Sequence, residues 1–268
     1  MAEELAQAWR FDQKQTAGYI CGVHEHGIEL TRGANRRSVT RHMCMNLEHY
    51  FCQDQLGLFV PRHKAPVQSK LVGDRSVRID IGPYEDWRVH TTITYKLLPE
   101  CTIRAEYVFR FEKAYRGFSA LVSNYFHDSA EPWIHVGGIW MQPQLGRNEH
   151  RTWPRDAEAG KAAERRMKMM SKAPETPKDL KCPIHDQFYD QPVIVSSIGD
   201  SGWSVVHVIE ERRCPCLSAN RRWHAHDFSL VGQDVKDGEE IVCRTWMVYV
   251  QLRKLEEATI LARKLLRQ

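Results

Sequence analysis

Thirteen histidines lie along this chain, and several are spaced so that they could act together. His24-Glu25-His26 and His224-Ala225-His226-Asp227 each place two imidazoles two residues apart. In extended chain, positions i and i+2 project to one side. Each pair could therefore present two rings to one substrate or one metal, and zinc, copper, iron and nickel all accept imidazole. If the two segments meet, His24, His26, His224 and His226 form a candidate divalent-metal set, with Glu25, Glu29 or Asp227 as a carboxylate ligand. The structural alternative is four hydrogen-bonded or surface histidines, with no cofactor.

A second constellation is Asn46-Leu47-Glu48-His49-Tyr50, followed by Pro61-Arg62-His63-Lys64. Its ionisable groups are interleaved with Met43, Met45, Leu47, Phe51, Leu58, Phe59 and Val60. Apolar surroundings and neighbouring charges push carboxylate and imidazole pKa values toward neutrality, where they can give or take a proton. A guanidinium beside them, Arg62, would neutralise a carboxylate or an enolate. A third group, Ser123-Asn124-Tyr125-Phe126-His127-Asp128, ends a strand-like run, where sites are commonly grafted. Trp133, Trp140, Trp153 and Trp223 offer rings of the kind that stack on sugars. The combined expectation is one cleft, with His49, His63, His224 and His226 as acid–base groups. Glu48, Arg62, Tyr125, Trp140 and Asp227 would bind substrate there.

Elements must bring these distant residues together, and the sequence pattern is that of strands. Thr102–Phe111 (TIRAEYVFRF) alternates strictly, as does Trp87–Leu98 before it, so the two read as a long antiparallel hairpin. Further strands are expected at Ser76–Ile81, Gly117–Phe126, Trp133–Trp140, Val193–Ser197, Trp203–Glu210, Phe228–Val231 and Ile241–Leu252. The last is apolar on both faces, which suits a central strand covered on both sides. Many strands with short turns and few helices argue for a mainly β protein, a large antiparallel sandwich. Residues 253–268 space Leu255, Ala258, Ala262 and Leu265 along one stripe and read as a C-terminal helix. Residues 154–182 are poor in apolar groups, hold three prolines, and read as an insertion loop. Strands of similar character flank it, so residues 1–268 are expected to form a single β-sandwich domain.

The long hairpin TITYKLLPECTIRAEYVFRF, the run GFSALVSNYF and the late stretch DFSLVGQDVKDGEEIVCRTWMVYVQL together resemble the galactose-mutarotase-like supersandwich of carbohydrate-active proteins. The resemblance lies in strand length, strand order and aromatic content over residues 20–252. It implies a carbohydrate or glycoside ligand. The fold group holds epimerases, lyases, hydrolase domains and noncatalytic modules.

Composition narrows the remaining classes. The net charge of +4 matches the excess in residues 161–178 alone, where six bases face two acids. A nucleic-acid binder spreads its bases along a folded face, so no nucleic-acid partner is expected. No window of eighteen apolar residues exists and the first residues lack an apolar core, so neither a membrane span nor an export signal is expected. The protein is placed in the cytoplasm, and a homo-oligomer is compatible with the pattern. Eight cysteines include no Cys-x-x-Cys pair, and Cys214-Pro215-Cys216 has no partner pair at zinc-ribbon spacing. Phosphate-loop, dinucleotide, serine-hydrolase and zinc-protease motifs are absent. The leading expectation is acid–base proton transfer on a sugar or glycoside, as in an epimerase, lyase or hydrolase. The alternatives are a noncatalytic carbohydrate-binding or assembly protein, and a metal-dependent cupin-like β-barrel enzyme built on the His-x-His pairs.

Overall fold

The computed structural model describes residues 7–10, 20–24, 27–32, 37–41, 43–54, 59–127, 129–172 and 176–267. In chain order the strands are β1 (Gln7–Arg10), β2 (Ile20–His24), β3 (Gly27–Arg32), β4 (Arg37–Ser38), β5 (Asn46–Phe51) and β6 (Val67–Gly73). Next come β7 (Ser76–Ile81), β8 (Val89–Leu98), β9 (Thr102–Phe111), β10 (Tyr115–Ser123), β11 (Ala130–Val136) and β12 (Ile139–Met141). The last are β13 (His150–Pro154), β14 (Tyr189–Ile198), β15 (Trp203–Ile209), β16 (Cys216–Asn220), β17 (Ala225–Val235) and β18 (Glu240–Gln251). The helices are α1 (Pro61–Lys64), α2 (Ala157–Met170) and α3 (Glu256–Leu265).

Two sheets make the sandwich. The larger has nine strands in the order β12-β11-β14-β15-β18-β9-β8-β7-β6, and the smaller has five in the order β13-β16-β17-β10-β5. A four-stranded sheet, β1-β2-β3-β4, comes from the N-terminal region. The expected hairpin is present: β8 and β9 pair from Val89 with Phe111 to Leu98 with Thr102. Their alternation buries Val89, Ile93, Tyr95 and Leu97 with Ile103, Ala105, Tyr107, Phe109 and Phe111. These meet Tyr50, Phe118 and Phe228 of the smaller sheet, and Phe126 just beyond the end of β10, forming an aromatic-rich core between the layers. β18 lies between β15 and β9, the central place its two apolar faces imply.

Two readings of the sequence need correction. The single strand expected over Trp133–Trp140 is two strands, because Gly137 and Gly138 both take positive φ (61° and 83°) and turn the chain back. The stretch 154–182, expected as an insertion loop, carries helix α2. Asp156 caps it by accepting from the Ala159 amide at 2.8 Å. Ala159, Ala163, Met167 and Met170 then form a buried stripe against the outer face of the smaller sheet. That stripe was masked by the lysines and arginines on the helix's other faces.

Candidate functional site

The smaller sheet has one apolar and one polar face. Toward the core it sends Leu47, Tyr50, Ala120, Val122, Leu217, Phe228 and Leu230. Alternation then sends Ser123, Thr152, Ser218, Asp227 and Ser229 to the outer face. On β5 a bulge alters the count: His49 pairs with Leu121 and Leu47 with Val122, leaving Glu48 as the extra residue. Leu47 and Tyr50 are three residues apart, so an unbroken strand could not bury both in one layer. The bulge allows it and turns Glu48 and His49 together onto the outer face.

The entry to β5 is held by a buried clamp. Met45 takes φ 54°, a conformation that costs a side-chain-bearing residue free energy. Its amide donates to Asn124 Oδ1 at 2.8 Å, and its carbonyl accepts from Tyr95 Oη at 2.8 Å and Tyr107 Oη at 2.9 Å. The same Asn124 donates through Nδ2 to the His226 carbonyl at 2.7 Å and through its amide to Asp227 Oδ1 at 3.0 Å. One asparagine thus fixes β5, the end of β10 and the start of β17 relative to one another.

On this frame Glu48, half-buried, accepts a hydrogen bond from Tyr125 and another from Asn46 Nδ2. Burial raises its pKa, and the nearby His63 and Arg62 oppose that rise. Burial, then the negative charges of Glu48 and Asp227, hold the Tyr125 hydroxyl well above the phenol range. Burial pushes Asp227 up to about 8, so it carries a proton at neutral pH. Burial, reinforced by Arg166, lowers His49 to about 4 and leaves it neutral. Arg62 is buried. It donates from Nη2 to Tyr95 Oη at 3.2 Å, while Nε and Nη1 have no partner. The combination is a carboxyl poised to exchange a proton, a phenol donor, a neutral imidazole and a fixed positive charge.

Of the expected site residues, Glu48, His49, Arg62, His63, Tyr125 and Asp227 are therefore electrostatic neighbours around one patch. The others are elsewhere. His226 adjoins Asp227 on β17 but projects to the opposite face, where Nδ1 meets Ser196 Oγ at 2.7 Å and the ring stacks on Phe126. Burial lowers its pKa to about 3. His224 and His226 come together in a cleft of about 200 Å³, with Glu131, Gln142, Asn220 and Arg221. Trp140 is on edge strand β12 of the larger sheet, edge-on to His135. The expected single cleft is thus divided by β17, because successive residues of a strand face opposite ways.

Glu25 and His26 lie outside the described residues, and with them the expected pairing of the two His-x-His stretches. Among the described residues no three His, Cys, Asp or Glu side chains are grouped to hold a metal. Cys182, Cys214, Cys216 and Cys243 form no disulfide, and Cys214 and Cys216 are buried. Among the described residues no helix is long and apolar enough to cross a membrane. The sequence reading missed Arg166, His150 and the clamp role of Asn124. Arg166 falls seven residues after Ala159 and three after Ala163, so a helical periodicity test would have placed it on the buried stripe.

No protein-family model and no curated protein matches the chain. Among solved structures it is similar to a putative aldose 1-epimerase from Escherichia coli K12, with TM-score 0.56 and 7% identity, over 92% of this chain and 100% of that one. It is also similar to a TPR-domain containing protein from Parabacteroides distasonis, with TM-score 0.50 and 9% identity, over 88% of this chain and 46% of that one. A GalM/aldose epimerase homologue from C. elegans aligns over 92% of this chain and all of its own, with TM-score 0.49 and 8% identity. The fold is the galactose-mutarotase-like supersandwich, a mainly β class of structure.

Proposed function

We propose that the protein acts on a carbohydrate by acid–base proton transfer, in the manner of an aldose epimerase. The observation that carries the reading is the Glu48 carboxyl. It is half-buried, raised in pKa, hydrogen-bonded to Tyr125 and flanked by His63 and Arg62. A carboxyl whose pKa is raised by burial is suited to give and take a proton. The name of the Escherichia coli structural neighbour supports a sugar as the ligand. In this reading Glu48 takes the proton from the anomeric hydroxyl while His63 delivers one to the ring oxygen. The ring C–O bond breaks as the carbonyl forms, and closure on the other face returns both protons. Tyr125 and Asp227 hold hydroxyls, Arg62 steadies developing negative charge, and His49 is a neutral hydrogen-bonding partner.

Anomer interconversion over a panel of aldoses, followed by polarimetry, tests this. The purified protein should accelerate at least one sugar, and Glu48→Gln should slow it by about 10²–10⁴-fold, the usual worth of a general acid–base group. Sugar-induced thermal stabilisation without turnover would replace the reading with a noncatalytic carbohydrate-binding protein. Turnover lost on chelation and restored by a divalent metal would replace it with the cupin-like alternative.

A further inference from the structure

A second polar depression lies across β17 from Glu48. The cleft of about 200 Å³ that holds His224 and His226 runs into a wider groove of about 860 Å³, and Leu145, Arg221 and His224 line both. The cleft has the bulk of one pyranose ring, and the groove has room for that ring's neighbours in a chain. His224 takes φ 50°, a conformation costly for a residue with a side chain, and its carbonyl accepts from the Phe126 amide at 2.9 Å. Backbone strain of this kind collects at ligand sites.

The polar groups of the cleft are fixed by one another. Glu131 accepts from Arg221 Nη1 at 3.2 Å and from Gln142 Nε2 at 3.1 Å. The three come from β11, from the turn after β16 and from the segment that follows β12. Each has hydrogen-bonding capacity left: oxygen lone pairs on Glu131 and Gln142, N–H groups on Arg221. Acceptors and donors therefore alternate along one wall, and Glu131 and Arg221 cancel in charge. Adjacent sugar hydroxyls suit such a wall, because each hydroxyl both donates and accepts. A phosphate, which has only acceptors at its charged oxygens, would meet the Glu131 carboxylate.

The groove outside is charged differently. Arg222 donates to Asn148 Oδ1 at 3.2 Å and to Asp179 Oδ1 at 3.3 Å, so its charge is matched. Arg147 also lines the groove, is exposed, and has no ion-pair partner among the described residues. Trp223 stands between Arg222 and His224 in the same turn. It is 38% exposed, with the Arg222 guanidinium 5.8 Å from the centre of its ring. An exposed indole beside a polar cleft offers an apolar face on which a sugar ring can stack. We infer that this depression binds a saccharide of uronic acids. One pyranose unit lies against Glu131, Gln142 and Arg221, and a carboxylate of the chain pairs with the unmatched Arg147, as guanidinium groups do with carboxylates. The site is separate from the chemistry at Glu48, and either can stand without the other.

Calorimetric titration of the whole chain tests this, with linear trimers of galacturonate, mannuronate and glucuronate and with their methyl esters. The ester keeps every sugar hydroxyl and loses the charge. At least one acid trimer should bind, and its ester should bind about fivefold more weakly. Arg147→Ala, a change at the surface, should weaken the acid to the level of the ester and leave the ester unaffected. Gln142→Ala should weaken both, by about tenfold. Neither substitution should alter the interconversion of neutral aldoses, so failure here and failure of the Glu48 chemistry are told apart. Three results overturn the inference. One is no binding of any trimer. Another is equal affinity for triglutamate, which has the charges without the hydroxyls and would mark a general polyanion surface. The last is an affinity that falls in Glu48→Gln but not in Arg147→Ala or Gln142→Ala, which would put the sugar at Glu48 instead.

Discussion

Each sheet of the sandwich is covered on its outer face by one amphipathic helix, and the two junctions are built differently. Helix α3 lies on the larger sheet, where Ala258, Ala262 and Leu265 meet Val193, Val195, Val206, Val208, Trp246 and Val248. Helix α2 lies on the smaller sheet, with apolar contacts at its two ends: Met167 and Met170 on Phe51 and Leu121, and Ala159 and Ala163 on Cys216. In the same face are Arg166, Ser229, Thr152, Ser218, Asp227, His150 and His49. The α3 junction is apolar apart from the unpartnered indole nitrogens of Trp246 and Trp140, and its burial stabilises the fold. The α2 junction keeps polar groups that cost stability. Local rules broken at one place and obeyed at its counterpart point to function at the first.

Mutation of the two junctions should therefore have opposite signs. Trp246→Ala removes a large side chain from the α3 junction and should cost about 3–5 kcal/mol in urea unfolding. Arg166→Met keeps the length of the side chain but removes the uncompensated charge. It should be neutral or stabilise by about 1–4 kcal/mol, as apolar replacements of buried charges do. A loss for Arg166→Met as large as that for Trp246→Ala would show the α2 junction to be an ordinary core.

The titration of the buried groups sharpens the contrast. Burial drives His150 down to about 3 and His49 to about 4 at the α2 junction, and His207 and His226 to about 3 between the sheets. These rings stay neutral in the native state while the unfolded chain takes up protons below about 6.5, so stability falls as pH drops from there toward 3. Asp227 has the opposite sign. It holds its proton up to about 8 in the native state, whereas the unfolded carboxyl ionises near 4. Asp227 by itself lowers stability as pH rises toward 8. Four imidazoles oppose one carboxyl, so the two slopes cancel, and the maximum falls near pH 7. Asp227→Asn keeps an oxygen for the Asn124 amide and cannot ionise. It should remove the decline between about pH 7 and 8, to which the carboxyl contributes about 1 kcal/mol. An unchanged alkaline limb in Asp227→Asn would mean that some other group causes it.

The α3 junction was legible in the sequence and the α2 junction was not. Alternation in Thr102–Phe111 and Ile241–Leu252, and the stripe through Ala258, Ala262 and Leu265, are local patterns that one burial direction explains. Residues 157–170 have a stripe too, but its apolar members include two alanines and it contains an arginine, so the composition reads as polar. The β5 bulge has no local signature either. It shows only when Leu47 and Tyr50 are both required to face the core. Glu48, Arg62, His63, Tyr125 and Asp227 could be chosen as candidates because ionisable groups stood in apolar company. The separation of His226 from Asp227 could not, because strict alternation became decisive only once β17 had a sheet on one side and α2 on the other.

The smallest expected effect is the most discriminating. Thr152 is fully buried in β13, and its hydroxyl has no partner. Thr152→Val keeps the shape of the side chain and replaces the hydroxyl with a methyl group. In an ordinary core that exchange removes the desolvation cost of an unsatisfied polar atom, and stability should rise by about 1 kcal/mol. The same gain is expected here. Denaturation curves of Thr152→Val and the wild type in one buffer give the comparison. A stability loss would mean that the hydroxyl has a partner in solution, most simply a buried water bridging Thr152 and Ser218.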